Sequence, residues 1–189
     1  SAVGAEGKMY VFGGANLDKT FDDALVYDPS KDVWSTLPKS NFFSGRMGHS
    51  MTYLPERREF IVFGGTSTHE LESALADGKT FNLKYEHWSP LWLGDSPSNR
   101  SHHSAVWTGK NLLVWGGMGK VSGKLSFLGD GYLYDPELEA WKKISSVNAP
   151  SSRYAHVAVW TGAKMVIWGG MHGGTVLADG ALYDPATDS

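Results

Sequence analysis

A chain of 189 residues and 20.6 kDa holds enough material for one domain, at most two, with a sizeable core, and with no cysteine it has neither a disulfide framework nor a thiolate site. Seventeen Lys and Arg against twenty Asp and Glu give a formal net charge of −3 with the basic residues scattered, which argues against broad nucleic-acid binding through counterion release. Eight each of Phe, Trp and Tyr beside 23 Gly favour strands and turns, no apolar run approaches the ~18 residues of a spanning helix, and Ser1-Ala2-Val3-Gly4 lacks the regions of a signal peptide.

Along the chain, apolar runs end in a diglycine at Val11-Phe12-Gly13-Gly14, Val62-Phe63-Gly64-Gly65, Val114-Trp115-Gly116-Gly117 and Ile167-Trp168-Gly169-Gly170. Their first glycines are 51, 52 and 53 residues apart, so the chain is four units of about fifty residues, bounded at 1–45, 46–99, 100–152 and 153–189. Other landmarks keep the phase. Tyr27-Asp28-Pro29, Tyr134-Asp135-Pro136 and Tyr183-Asp184-Pro185 recur, with Phe81-Asn82-Leu83 as the degenerate version. Seven residues after that aromatic stand Trp34, Trp88 and Trp141, and twelve further on Arg46 with His49, Arg100 with His103 and Arg153 with His156. Asp23, Asp77, Asp130 and Asp179 sit four residues before each aromatic.

Each unit reads as four short strands. In the third, 103–107, 111–115, 131–134 and 140–144 are separated by Thr108-Gly109-Lys110, the diglycine loop and Asp135-Pro136-Glu137-Leu138. No window sustains a 3.6-residue apolar period, and Gly and Pro punctuate too often for long helices, so the class is all-β. These landmarks resemble the kelch repeat over essentially the whole chain, and the resemblance implies a kelch-type β-propeller with four four-stranded blades in this chain. The first unit's His falls at position zero and the last unit's Trp at position 190, which reads as part of a larger propeller whose edges need further blades or another chain. The Val-Trp-Thr-Gly and Ile-Trp-Gly-Gly wording of the later units is similar to prokaryotic kelch proteins, many of them exported, and implies a secreted or periplasmic setting.

Antiparallel succession puts the loops after strands two and four of every blade on one face. That face carries the variable segments 15–22, 66–76, 118–129 and 171–178, and the inter-blade segments 39–45, 89–99 and 142–152. Unequal loops on a rigid scaffold are where binding specificity resides, so this face is the expected site for a protein or peptide ligand. Candidate contacts are His69, Lys120 and His172 in the loops, and Arg46, Arg100 and Arg153 where the inner strands begin. In kelch adaptors of ubiquitin ligases, arginines at that position can contact acidic peptides, and the resemblance implies the same use here. Recurrence in phase favours the other reading, a salt bridge within or between blades, with the recurring Asp as partner.

Departures from the repeat are better site candidates than residues that packing demands in every blade. Tyr154 replaces Met47 and Ser101 of the earlier units, and Phe42 and Phe43 form another departure. In the adjacent pair His102-His103, strand alternation sends one side chain inward and the other toward the loops. No cofactor and no metal site is expected, because His49, His103 and His156 occupy the same place in successive blades and would not converge on one ion. Galactose oxidase resembles this fold, but its copper site needs a tyrosine crosslinked to cysteine, which a chain with no cysteine excludes. The set His69, Glu70 and Asp77 suits acid–base chemistry in composition, although no paired spacing singles it out. The leading reading is a non-catalytic protein-binding module; the alternative is a sugar-binding or sugar-modifying propeller with its site at the channel mouth.

Overall fold

Every repeat folds as an antiparallel sheet whose strands follow the alternation of its apolar residues. The computed structural model describes residues 1–40 and 43–189, and Phe42 lies outside the described residues. The first sheet runs in chain order from β1 (Ala2–Ala5) through β2 (Lys8–Phe12) and β3 (Ala24–Asp28) to β4 (Val33–Thr36). The second does the same with β5 (Ser50–Leu54), β6 (Glu59–Phe63), β7 (Gly78–Asn82) and β8 (His87–Pro90). The third repeat contains β9 (Ser104–Trp107), β10 (Leu112–Trp115), β11 (Met118–Val121), β12 (Lys124–Phe127), β13 (Gly131–Asp135) and β14 (Ala140–Lys143). Its blade is β9-β10-β13-β14, and β11 with β12 forms a separate hairpin. The fourth has β15 (Val157–Trp160), β16 (Met165–Trp168), β17 (Met171–His172), β18 (Thr175–Val176) and β19 (Gly180–Tyr183), with a three-stranded sheet β15-β16-β19 and a hairpin β17-β18. One 3-10 turn, Leu71–Ser73, is the only helical element among the described residues.

The molecule is therefore all-β and built as the blades of a β-propeller, with inner strands packing in series, β1 on β5, β5 on β9 and β9 on β15. Two segments expected as plain loops, 118–129 and 171–178, carry hairpins instead. Ser122-Gly123 and Gly173-Gly174 have positive φ at both positions, the conformation a two-residue hairpin turn requires, and the flanking strands are too short to show alternation.

Three apolar seams hold the blades together. Tyr10, Phe12 and Val26 meet Phe60, Val62, Phe81 and Trp88; Ile61, Phe63 and Leu91 meet Leu112, Val114, Tyr134 and Trp141; Leu113, Trp115 and Ile144 meet Met165, Ile167 and Tyr183. Each fully buried large side chain contributes about 1.5–3 kcal/mol, which makes the seams the main store of stability. The outer-strand tryptophans also satisfy their polar handle across the seam: the Trp88 indole N–H donates to the Pro38 carbonyl at 2.8 Å, and that of Trp141 to the Trp92 carbonyl at 3.0 Å.

The diglycines let the backbones close in. At Gly64 (φ 65°) a Cβ would stand 2.5 Å from the Arg100 carbonyl oxygen, and at Gly65 (φ 95°) 2.8 Å from that of Met47. The Gly65 N–H uses this proximity to donate to the Arg100 carbonyl of the next blade at 2.9 Å. On the opposite face, ion pairs span the seams. Arg58 clasps Glu6 with two bonds of 2.6 and 2.8 Å, and Arg57 reaches Glu137 at 2.8 Å.

Candidate functional site

The inner-strand arginines lie inside the protein. Arg46, Arg100 and Arg153 are each 0% exposed, and each guanidinium is spent on its own blade. Arg46 bonds both oxygens of Asp77 at 2.9 and 3.0 Å, the Gly64 carbonyl at 2.9 Å and the Ser44 carbonyl at 3.2 Å. Arg100 repeats this with Asp130, Gly116 and Ser98, and Arg153 with Asp179, Gly169 and Ser151. Each head ties the diglycine carbonyl and the aspartate before the third strand to the loop that leads into the blade. A ligand at the rim meets no face of these three guanidinium groups, so an anion-reading rim of arginines does not match their placement. Asp77 is occupied by Arg46, which also dissolves the set of His69, Glu70 and Asp77.

The in-phase histidines are buried too. The His103 Nε2 meets the Ser50 hydroxyl of the preceding blade at 2.9 Å, and the His156 Nε2 meets that of Ser104 at 2.8 Å. Each ring stands edge-on to the aromatic closing the preceding blade's second strand: His49 on Phe12, His103 on Phe63 and His156 on Trp115. The Nδ1 of all three has no hydrogen-bonding partner, so a proton there would be buried and unsatisfied. Burial accordingly pushes His49 down to about 3 and His156 to about 4, and holds His103 well below the ordinary imidazole value. Among the described residues no three His, Asp or Glu side chains are grouped so that they could hold a metal ion.

His102 and His103 do part company, although strand alternation is not the cause. Both precede β9, and His102 is set apart by its left-handed backbone (φ 53°), a conformation shared by Gly48 (φ 63°) and Ala155 (φ 53°) at the same place in their blades. These three residues form a hoop: the His102 N–H donates to the Gly48 carbonyl at 2.7 Å, and the Ala155 N–H to the His102 carbonyl at 2.9 Å. The His102 imidazole lies over Gly48, where a Cβ would stand 2.7 Å from the ring, so glycine there makes room for the histidine of the next blade. Burial lowers the His102 pKa.

Four side chains gather at the loop face of the third and fourth blades. Phe127, at the end of the β11-β12 hairpin, stacks on Tyr154 with ring centroids 5.5 Å apart and planes 15° from parallel. The His172 ring packs on Phe127 at 4.9 Å, and His102 presents its edge to Tyr154 at 6.4 Å. His172 is anchored by Nδ1, which donates to the Ser152 carbonyl at 2.7 Å and leaves Nε2 as an acceptor. The backbone of Tyr154 is fixed by reciprocal bonds with Met171 at 3.1 and 2.9 Å. Val121 and Leu125 on the same hairpin and Val176 on the neighbouring one are exposed, and Lys120 pairs with Glu72 at 3.2 Å.

His102, Tyr154 and His172 are thus brought together, with Lys120 on the strand paired to the one that carries Phe127. His69 stands elsewhere on the face and donates from Nε2 to the Asn16 carbonyl at 2.6 Å, tying the first two diglycine loops to each other. Sequence reasoning missed Phe127, because it sat in a segment expected to be irregular; the Ser-Gly turn five residues before it was the available signal.

Buried in-phase Arg–Asp and His landmarks, diglycine seams and indoles between antiparallel four-stranded sheets define a propeller of repeated blades. The chain belongs to the kelch-repeat family: the family described as "KLHDC2/KLHL20/DRC7 Kelch-repeats domain" matches residues 1–189. Among curated proteins it is 29% identical over 173 residues to the human "Rab9 effector protein with kelch motifs" (88% of this chain, 45% of the relative). It is 31% identical over 180 residues to the rice "Adagio-like protein 3" (90% and 28%). To the Thlaspi arvense "N-(sulfonatooxy)prop-2-enimidothioate sulfolyase" it is 29% identical over 189 residues (89% and 53%). The chain spans about half, or less, of the length of the curated relatives it matches.

Proposed function

We propose that this chain is a kelch-repeat binding module that recognises a protein or peptide through its loop face, with the ledge of His102, Phe127, Tyr154 and His172 as the anchor. The observation that carries the reading is the out-of-phase stack: an aromatic pair, its Tyr154 held by reciprocal backbone bonds, beside exposed Leu125, in a fold whose in-phase arginines and histidines are buried. Rigid aromatic surface beside an apolar and a basic side chain suits a peptide with an apolar or aromatic anchor and an acidic residue that takes Lys120 from Glu72. The names of several relatives, effectors of Rab9, lend support to a protein partner.

Selection of a displayed peptide library on the chain, followed by titration of the selected peptides against Phe127→Ala and Tyr154→Ala, tests this. Each truncation is expected to weaken binding by roughly tenfold or more, as for a buried aromatic anchor, with melting temperature held near that of the parent. Peptides that bind both variants as well as the parent remove the ledge from the site. A rise in melting temperature with a member of a glycan panel, and none with the selected peptides, replaces the reading with the sugar-binding one.

A further inference from the structure

The seam between the second and third blades stands out for the polar groups it leaves unpaired, and both of its walls come from internal blades with all four strands in place. The phenols of Tyr27 and Tyr183 donate to Asp32 and Asp188, five residues on, at 2.8 and 2.7 Å. Tyr134 has the same place in the third blade and is 3% exposed, yet its partner position holds Glu139 and its hydroxyl makes no hydrogen bond among the described residues. The tyrosine lines a cleft between the two blades that holds ≈ 480 Å³ of empty space. Hydroxyls face it from the other wall. Thr80 and Ser89 are paired directly across β7 and β8, line the same cleft, and make no side-chain hydrogen bond among the described residues either. The repeat does not demand this set: Val26 and Leu133 stand where the second blade has Thr80, and Phe81 where the third has Tyr134.

We propose that this cleft is a second binding site, for a saccharide whose ring hydroxyls meet Tyr134, Thr80, Ser89 and Glu139 while its apolar face lies on the Trp92 indole. Charged groups frame the hydroxyls. Glu59 is fixed as an acceptor by the Arg57 Nε at 3.0 Å and the Asn82 amide at 2.9 Å, and Arg57 gives Nη1 to Glu137 at 2.8 Å. The Glu139 carboxylate has no ion pair or hydrogen bond among the described residues. Three hydroxyls that both donate and accept, beside a carboxylate that only accepts and a guanidinium that only donates, suit neighbouring hydroxyls on one ligand. A simple anion would face Glu59 and Glu139, and an apolar ligand would leave the Tyr134 hydroxyl buried without a partner. The cleft continues through Ser89, Pro90 and Glu139 into a hollow walled by Trp92, which is 62% exposed. That indole is laid against the chain, since a Cβ at Gly94 would stand 2.7 Å from its Nε1. A few placed polar groups in a concave seam, with an aromatic platform at the exit, are the makings of a small-ligand site. It shares no residue with the ledge, so the two stand or fall independently.

The test titrates the isotope-labelled chain with maltose, cellobiose, lactose and chitobiose to tens of millimolar and follows its amide and indole N–H resonances by NMR. Saturable shifts of the Trp92 indole and of residues 80, 89 and 134–139 are expected with at least one of the four. Tyr134→Phe should weaken that sugar roughly fivefold and Trp92→Ala roughly tenfold. Neither variant threatens the fold: the first puts in the ring that Phe81 has in the second blade, and the second keeps the backbone carbonyl that receives the Trp141 indole. Binding that Tyr134→Phe leaves at full strength, shifts confined to the loop face around Tyr154, or no shift with any of the four sugars overturns the proposal. So does a response to n-butylammonium in place of the sugars, because the carboxylates alone would then be reading charge.

Discussion

Arg153 and Tyr154 are neighbours in sequence, yet one is sealed within a blade and the other stands on the rim. Arg100 and His102, two residues apart, divide in the same way. The in-phase arginines end up buried with their guanidinium groups paired inside the fold, and the in-phase histidines are buried beside them, whereas residues that break the phase form the ledge with Phe127 and His172. In a repeat protein, recurrence therefore reports what every blade needs in order to pack, and function is better sought in what differs between blades. The arginines make the point most plainly, since charge and position recommended them as ligand contacts and zero exposure removes them from the surface.

The contrast can be broken most strongly with acid. His49, His103 and His156 are held neutral in the fold, at about 3 and about 4 for the outer two, against 6.5 when unfolded. The unfolded chain thus binds protons that the fold refuses, and stability falls as pH drops below 6.5 until the folded values are reached. Between pH 7 and 5 His49 and His156 are each expected to remove about 2 kcal/mol, measured as a shift of the urea midpoint, with His103 acting in the same direction, so that His103→Gln should make the slope shallower. A profile flat over that interval would show the rings to be solvated.

Next in size is Arg100→Met, which strands Asp130 and the buried Gly116 carbonyl. It should cost about 3 kcal/mol in chemical denaturation, and a loss under about 1 kcal/mol would contradict the sealed-interior account. Trp141→Phe keeps the ring in the seam and removes one N–H bond to the Trp92 carbonyl, for an expected loss of about 1 kcal/mol. Tyr154→Ala removes a half-buried ring stacked on Phe127 and should cost no more than about 1 kcal/mol. A larger loss would mean that the ledge supports the blades, and the comparison between rim and interior would have to be redrawn.

Much of this was legible in the chain itself. The diglycine period located all four sheets, and Trp88 and Trp141 were readable as packing residues because their spacing from Phe81 and Tyr134 is constant. Three features were hidden. Arg57 and Arg58 clamp Glu137 and Glu6 across seams through pairings 80 and 52 residues distant, which no local pattern betrays. The hairpins at Ser122-Gly123 and Gly173-Gly174 are too brief for alternation to register. The left-handed residues at 48, 102 and 155 carry three different side chains, so only the backbone shows that they are equivalent.

That last feature bears on how such a protein can change over time. The hoop through Gly48, His102 and Ala155 is made of main-chain atoms alone, and the identity of the side chain is no part of the joint. At 102 and 155 the side chain can therefore be rewritten without loosening the blades, and the geometry delivers whatever residue appears there to the same place on the mouth, whereas position 48 is kept a glycine by the His102 ring that lies over it. A lineage can explore new partners one letter at a time at this collar and keep its architecture untouched.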